Sequence, residues 1–400
     1  MTFAPLKGMR ILDLTSVVVG PVTTSRLAQY GAEVIKLENP EGDLIRGLGG
    51  QSPTGEHSGT YLHLNRGKRN ICCNLKTPAG REVLDKLVAS ADAVIANLRP
   101  QALDRLGVGP DQVCSRYPDK VYCLITGYGS QGPYAGQPTY DSVIQAASGV
   151  TGLFLQRDGA PAYVPMVVCD HVVGEIASGA VVAALMQKQT TGVGCKLEIP
   201  MFETMSAFML QEHLAQHSFD PPVGPAGDRR LLSPHNRPVQ TADGWISFTV
   251  NTDKQVRAFL EVSGRGDLVD DTRFNSVSAR ADNVIAWFEV RGAPLLERTT
   301  AEWLELMQAA DIACKPCHTL DTLPNDPHLT AVGLLHEDDH PTEGRTIAIR
   351  PSILVNDASL PMGSYAQPKG WDSAAVLREI GYDDDAIEAM IGEGTIVARQ

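Results

Sequence analysis

Strand and helix signals alternate through the first 200 residues of the chain, and that alternation restricts the fold more than any other feature. "MRILDLT" has the apolar, branched character of a strand, "PVTTSRLAQYG" reads as a helix closed by Gly31, and "AEVIKLE" is a strand again. "RNICCNLK", "TPAGREVLDKLVASA", "DAVIANL" and "KVYCLITG" continue the series. Parallel neighbours in a sheet need a long crossover, usually a helix, so this order predicts an α/β layer with parallel strands and a Rossmann-like outline. Ligands of such sheets bind at the carboxyl ends of the strands.

The texture changes at "FDPPVGPAGDRRLLSPHNRP", a run rich in Pro and Gly that reads as a crossover. Beyond it "GWISFTVN" predicts a strand, and "DKQVRAFLEVSG", "ADNVIAWFEVRG" and "AEWLELMQAA" predict amphipathic helices. The expected organisation is a large domain over 1–220, a small α+β domain over 221–325, and a return to the large domain over 326–400, where "GRTIAIRPSILV" has strand character. A chain of 400 residues is long enough for two cores.

A net charge of -13 argues against a nucleic-acid partner, which needs an excess of Lys and Arg. Local basic clusters such as "NRGKRN" still suit one small polyanionic ligand. We expect no membrane partner and a cytoplasmic location: no stretch reads as a bilayer span, and the N-terminus lacks the pattern of an export signal. The eight cysteines are scattered, as in buried thiols of a reducing compartment.

Several motifs invite a function and fail on physical grounds. "GYGSQG" fits the dinucleotide pattern, but Pro133 and "YAGQPTYD" do not open a helix able to hold a pyrophosphate. "CKPCH" is half a zinc site with no second pair at sensible spacing, so no metal is expected and the two thiols read as buried in a loop. No GxSxG elbow supports a serine hydrolase. What remains is Asp170 in "VVCDHVVGEIASGAVVAALMQ", at the head of a helix with Val173, Ile176, Ala177, Ala180, Val181, Ala184 and Leu185 at helical spacing and Gly192 at its end. Asp is a favoured N-cap, so the residues alone leave two roles open, cap or reactive carboxylate.

Long motifs in one order carry a resemblance: "LKGMRILDLT", "GPVTTSRLAQYGAEVIKLENPEGDLIR", "LNRGKRNICCNLKTPAGREVLDKLVASADAVIANLRPQALDRLG", "ITGYGSQGPYAGQPTYDSVIQAASGV" and "CDHVVGEIASGAVVAALMQKQTTGVGCKLEIPMFETM". Together they resemble the class III coenzyme A transferase family, the formyl-CoA and carnitine CoA-transferase (CaiB/BaiF-like) group, and "IACKPCHTLDTLPNDPHL" matches that family's loop before its return to the large domain. The resemblance implies a Rossmann-like large domain built from both chain ends, a smaller domain between them, and an interlocked, ring-like homodimer. It implies CoA transfer from an acyl-CoA to a carboxylic acid, with coenzyme A as substrate and no permanently bound cofactor.

In that family the aspartate at the head of this helix is the nucleophile, and Asp170 stands in its place with Gly174 in the matching small position. A carboxylate suits the role because it is ionised at neutral pH unaided, and a helix N-terminus steadies the anion further. Positions matching family contacts to coenzyme A are Val18, Val19, Asn39, Leu75, Lys76, Asn97, Leu98, Arg99, Arg105 and Tyr140; Lys76, Arg99 and Arg105 would meet phosphates. Asn39 replaces an arginine of formyl-CoA transferase, and "VGPAGDRRLLSPHNRP" stands where that enzyme has a tetraglycine loop, so formate and oxalate are not implied. Related α-methylacyl-CoA racemases place a His where this chain has Tyr140, and a tyrosine is a poor base near neutral pH. Racemisation and non-catalytic acyl-CoA binding remain the alternatives. Arg229, Arg230, His235 and Arg237 are candidates for recognising a second carboxylate, against a plain solvated linker.

Overall fold

A computed structural model describes residues 3–399. Along the chain run β1 (Arg10–Leu14), α1 (Val19–Gln29), β2 (Glu33–Glu38), α2 (Gly59–Leu64), β3 (Lys68–Cys73), α3 (Pro78–Ser90), β4 (Ala93–Ala96), α4 (Pro100–Arg105), α5 (Pro110–Arg116), β5 (Val121–Thr126), α6 (Asp141–Ala147), α7 (Val150–Asp158), α8 (Val168–Thr191), β6 (Cys195–Pro200) and α9 (Met201–His213). The six strands are parallel in the order 3-2-1-4-5-6, and Ile396–Val397 adds a short antiparallel edge on β3. This is the doubly wound order, with its switch point between β1 and β4.

Strand centres are near-continuous apolar runs because helices cover both faces of the sheet. Leu12, Ile35, Ile71 and Val94 pack with Leu84 and Leu87 of α3 in one core. α3 begins where a sequence reader would place it: the Thr77 hydroxyl accepts from the Gly80 amide, and Pro78 opens the first turn.

The chain divides into two compact units, one of residues 1–149, 163–208 and 328–400, the other of 150–162 and 209–327. The division falls inside α9, upstream of the Pro-rich stretch that marks a boundary in the sequence, because a helix can carry the chain out of one unit without any change in composition. Helix α7 also belongs to the second unit, although it has no buried residue. That unit has a three-stranded antiparallel sheet, Val239–Gln240, Trp245–Thr249 and Ala313–Pro316, packed with helices around Phe248, Phe259, Trp287 and Trp303.

Three local expectations need correction. Gly344–Ile349 does not join the large sheet; it pairs only with Leu335–His340 as an antiparallel hairpin. Cys314 lies in a strand and is buried, whereas Cys317 is exposed. α8 does have the length and mean hydropathy, 1.5, to cross a bilayer. Its apolar character serves packing against α1, α6, β5 and β6, which buries half of it.

Candidate active site

The carboxyl edge of the sheet is organised by a turn that its own residues could not hold. After β1, Val17 adopts φ of 68°, a left-handed conformation that costs a β-branched residue roughly 1–3 kcal/mol. Neighbouring strands supply the restraint. Asn97, after β4, grips Ser16 from both sides: its Oδ1 accepts from the Ser16 amide at 3.0 Å and its Nδ2 donates to the Ser16 carbonyl at 2.9 Å. Asp43, after β2, accepts from the Val17 amide at 3.0 Å, and the Lys36 ammonium donates to the Thr15 carbonyl at 2.8 Å. Val18 and Val19 then begin α1, which has no side-chain cap.

Beneath this turn lies a buried, charge-matched network. Lys36 pairs with Asp43 at 2.9 Å, Lys68 with Asp13 at 3.2 Å, and Arg46 with Glu38 at 2.8 Å, giving three cations and three carboxylates. Tyr61 and Asn70 also donate to Glu38. Burial by itself would raise both acids, but Lys68 and Lys36 hold Asp13 below its ordinary value and Arg46 brings Glu38 down to about 2. Lys68 is pushed down to about 8 by burial, in spite of Asp13.

Two cavities open along the same edge. One of about 830 Å³ has Asn39, Leu75, Lys76, Leu98 and Arg105 in its wall. A second of about 410 Å³ takes Asn97, Leu98, Arg99, Tyr140 and Thr126. Leu98 is common to both, so the structure brings eight of the ten expected cofactor contacts onto two adjoining hollows. Val18 and Val19 line neither, being buried at the start of α1. Asn39 turns its Oδ1 to the Gly42 amide, at 2.8 Å, and shapes the loop. Asn97, engaged with Ser16, is likewise a clamp.

Lys76, Arg99 and Arg105 have no carboxylate within ion-pair distance among the described residues, and neither has Arg81, which lines the first cavity from the first turns of α3. Sequence reasoning missed Arg81. Its signal was a cation five residues after Lys76 on a helix start facing the strand ends.

Asp170 lines neither cavity; it sits at the third position of α8 with 9% of its surface exposed. The cap expectation is therefore corrected: the N-cap is Val167, whose side chain cannot accept a hydrogen bond. The acceptor comes from α6. Asp141 Oδ1 takes the Cys169 amide at 2.8 Å and the Asp170 amide at 3.1 Å. Gln145 Nε2 donates to Asp141 Oδ2 at 2.6 Å and to the Met166 carbonyl at 3.0 Å, while its Oε1 accepts from the Val164 amide at 2.9 Å.

Burial, and after it the Asp141 charge, push Asp170 up to about 7. The expectation that this carboxylate is ionised unaided is also corrected: near neutral pH it exists in both forms, and its anion is correspondingly more basic. Cys169 beside it is raised to about 12, so its thiol is inert.

Gly174, one turn along, explains why α8 lies so near the strand edge. A Cβ there would sit 2.7 Å from the Val19 carbonyl and 2.8 Å from Val22. The Thr23 hydroxyl reaches the Gly174 carbonyl at 3.1 Å, fastening the two helices at that point. The first turns of α8, which carry Asp170, are thus held close against α1.

The other candidates, Arg229, Arg230, His235 and Arg237, lie in the second unit, and two of the four are engaged. Arg230 pairs with Asp228 at 2.6 Å, and Arg237 donates to the Pro234 carbonyl and stands 3.7 Å from Asp158. "GYGSQG" gives its Gly129 and Ser130 amides to Glu203 and Glu198.

The description CoA-transferase family III matches residues 6–373. The chain is 30% identical over 400 residues to succinyl-CoA:glutarate CoA-transferase of Mus musculus, covering 98% of this chain and 90% of that protein. It is 31% identical over 384 residues to succinate–glutarate CoA-transferase of Agrobacterium fabrum, covering 94% and 96%. Among solved structures, Rv3272 from M. tuberculosis matches with a TM-score of 0.80 at 27% identity, over 94% of this chain and 99% of that one.

Proposed function

The chain belongs to CoA-transferase family III, and from that membership we propose that it moves coenzyme A between two carboxylic acids through covalent catalysis by Asp170. The Asp170 carboxylate attacks the thioester carbonyl of an acyl-CoA, forming a mixed anhydride and releasing CoA thiolate. The thiolate attacks the aspartyl carbonyl, so Asp170 becomes a CoA thioester and the first acid departs as its carboxylate. A second carboxylate attacks that thioester, again giving a mixed anhydride and thiolate. Attack of the thiolate on the new acyl carbon yields the product and frees Asp170. The difficult exchange is divided into steps with matched leaving groups.

The observation that carries this reading is the Asp170 carboxylate itself, buried at the head of α8 and held near pH 7 in its titration. A carboxylate deprived of water is a better nucleophile than a solvated one, and it is still ionised enough at neutral pH to react. The unpaired cations Lys76, Arg81, Arg99 and Arg105 line hollows suited to the phosphates of coenzyme A in an otherwise acidic protein. Their lack of carboxylate partners supports an external anion. The names of the relatives make succinyl-CoA and glutarate the donor and acceptor to try first.

Asp170→Asn should lower CoA exchange between those acids by at least about 10³-fold, since removing a covalent nucleophile forfeits the whole route. Mass spectrometry after incubation with donor and hydroxylamine should find the hydroxamate at Asp170. Exchange persisting in the variant, or label on another residue, would overturn the reading. The proposal includes an interlocked homodimer. Its support is the exposed apolar side of α8, with Ile176 and Met186, on a helix of a chain that needs cover there. Light scattering of the purified chain reads the mass directly.

A further inference from the structure

α8 lacks a cap of its own, and its first amides are satisfied by a carboxylate from another helix, 29 residues earlier in the chain at the Asp170 amide. That carboxylate, Asp141, is 7% exposed. Its three hydrogen-bond donors are neutral: the amides of Cys169 and Asp170 and the side chain of Gln145. No cation pairs with it among the described residues. An uncompensated buried carboxylate is costly, and the three acids beneath the Val17 turn, Asp13, Glu38 and Asp43, each have a cation beside them. Asn in the same place would satisfy the same two amides without the charge.

We propose, resting on the catalytic reading of Asp170, that Asp141 is its positioning residue: it fixes the start of α8 from outside and keeps a second negative charge against the reacting carboxylate. The first role sets where the nucleophile stands. The second makes it a stronger base, which raises its reactivity toward a thioester and moves its titration upward. The two-fold grip of Gln145 on Val164 and Met166 ties the approach to α8 into the same assembly.

Asp141 is the group whose charge acts on Asp170 from the elements packed against α8. Arg26 of α1 is engaged with Glu175. Tyr122 of β5 donates to the Val108 carbonyl, and Cys123 is a buried thiol raised to about 12. On β6, Lys196 faces Asp111, Glu198 accepts from Ser130, and Cys195 is raised by burial. On α8 itself the neighbours are Cys169, a thiol raised to about 12 by burial, and His171.

The test compares Asp141→Asn and Asp141→Ala with the unaltered chain, using succinyl-CoA and glutarate over pH 5 to 9. Asp141→Asn should move the acid limb of the rate profile down by about one pH unit and lower the plateau kcat about tenfold, with KM for the acyl-CoA nearly unchanged. Asp141→Ala should lose about a hundredfold in kcat. The carboxyl-carbon NMR signal of Asp170, located by difference from Asp170→Asn, should titrate about one unit lower in Asp141→Asn. An acid limb and a titration that stay where they are in Asp141→Asn would overturn the inference, even if the variant were less stable. If the unaltered chain transfers no CoA, the catalytic reading fails, while the NMR titration still decides the influence of Asp141. If Asp141→Ala does not fold, the isosteric variant decides alone.

Discussion

Two clusters of buried carboxylates lie within one compact unit and have opposite electrostatics. Asp13, Glu38 and Asp43 face Lys68, Arg46 and Lys36, and the titrations of Asp13 and Glu38 are displaced downward. Asp141 accepts from the backbone amides of Cys169 and Asp170 with no cation paired to it among the described residues, and burial together with its charge displaces Asp170 upward. Burial is comparable, so depth in the protein does not separate an acid of the fold from an acid of the chemistry. Compensation does. In the first cluster cations hold Asp13 and Glu38 as carboxylates, and the cluster holds a strained turn; the second leaves a proton exchangeable near neutrality.

Breaking the matched cluster should have the largest effect on stability. Lys36→Met removes one cation and leaves Asp43 and Asp13 short of charge, and it should cost about 3–5 kcal/mol in urea unfolding. A loss below about 1 kcal/mol would mean the network is not the restraint described here.

Removing charge from the unmatched cluster should act in the other direction. Asp170 has a folded titration near 7 against 3.8 when unfolded, so the folded chain holds the extra proton between those values. Its contribution to stability therefore falls as pH rises from about 4 to 7, is lowest above 7, and the penalty vanishes below about 4. Asp170→Asn should be more stable than the unaltered chain at pH 8 by as much as about 4 kcal/mol, with the gain gone at pH 4. Thermal melts at the two pH values check both sign and size.

Gly174→Ala tests how closely α8 must approach α1. Alanine favours a helix by about 1 kcal/mol over glycine, yet its Cβ would meet the Val19 carbonyl at 2.7 Å. A net loss of about 1–3 kcal/mol is expected, with a fall in kcat as Asp170 shifts. The smallest effect belongs to an exposed pair: Arg378→Gln, which breaks the contact with Asp384, should change stability by less than about 0.5 kcal/mol. A larger loss would blur the distinction between matched charge inside and at the surface.

The strand–helix alternation was legible because each strand of the parallel sheet is an apolar run bounded by turn residues, and it made the strand ends the expected ligand edge, while the individual contact residues after β1 to β4 came from the family resemblance. Asp170 was legible as a position but not in its condition. Its helix is capped by Asp141, 29 residues earlier in the chain, and no local pattern records which acid serves which helix. Lys36 and Lys68 read as the polar members of their strands, while the carboxylates that receive them lie after β2 and in β1. His57 and Glu343 meet at 2.7 Å across 286 residues, a contact beyond any periodicity. α7 has Val150, Leu153 and Phe154 at helical spacing, but none of its residues is buried, so its sequence does not say which unit it joins.

The left-handed Val17 turn has fasteners from separate parts of the sheet: Asp43 beyond β2, Lys36 within it, and Asn97 beyond β4. Its conformation is consequently a collective property, available only once those strands have docked in register. Recognition at this edge and completion of the sheet are then thermodynamically linked, so a ligand that prefers the finished edge stabilises the assembled layer by mass action. Amide hydrogens deep in β2 and β4 should slow their exchange when coenzyme A is added, far from any atom it touches.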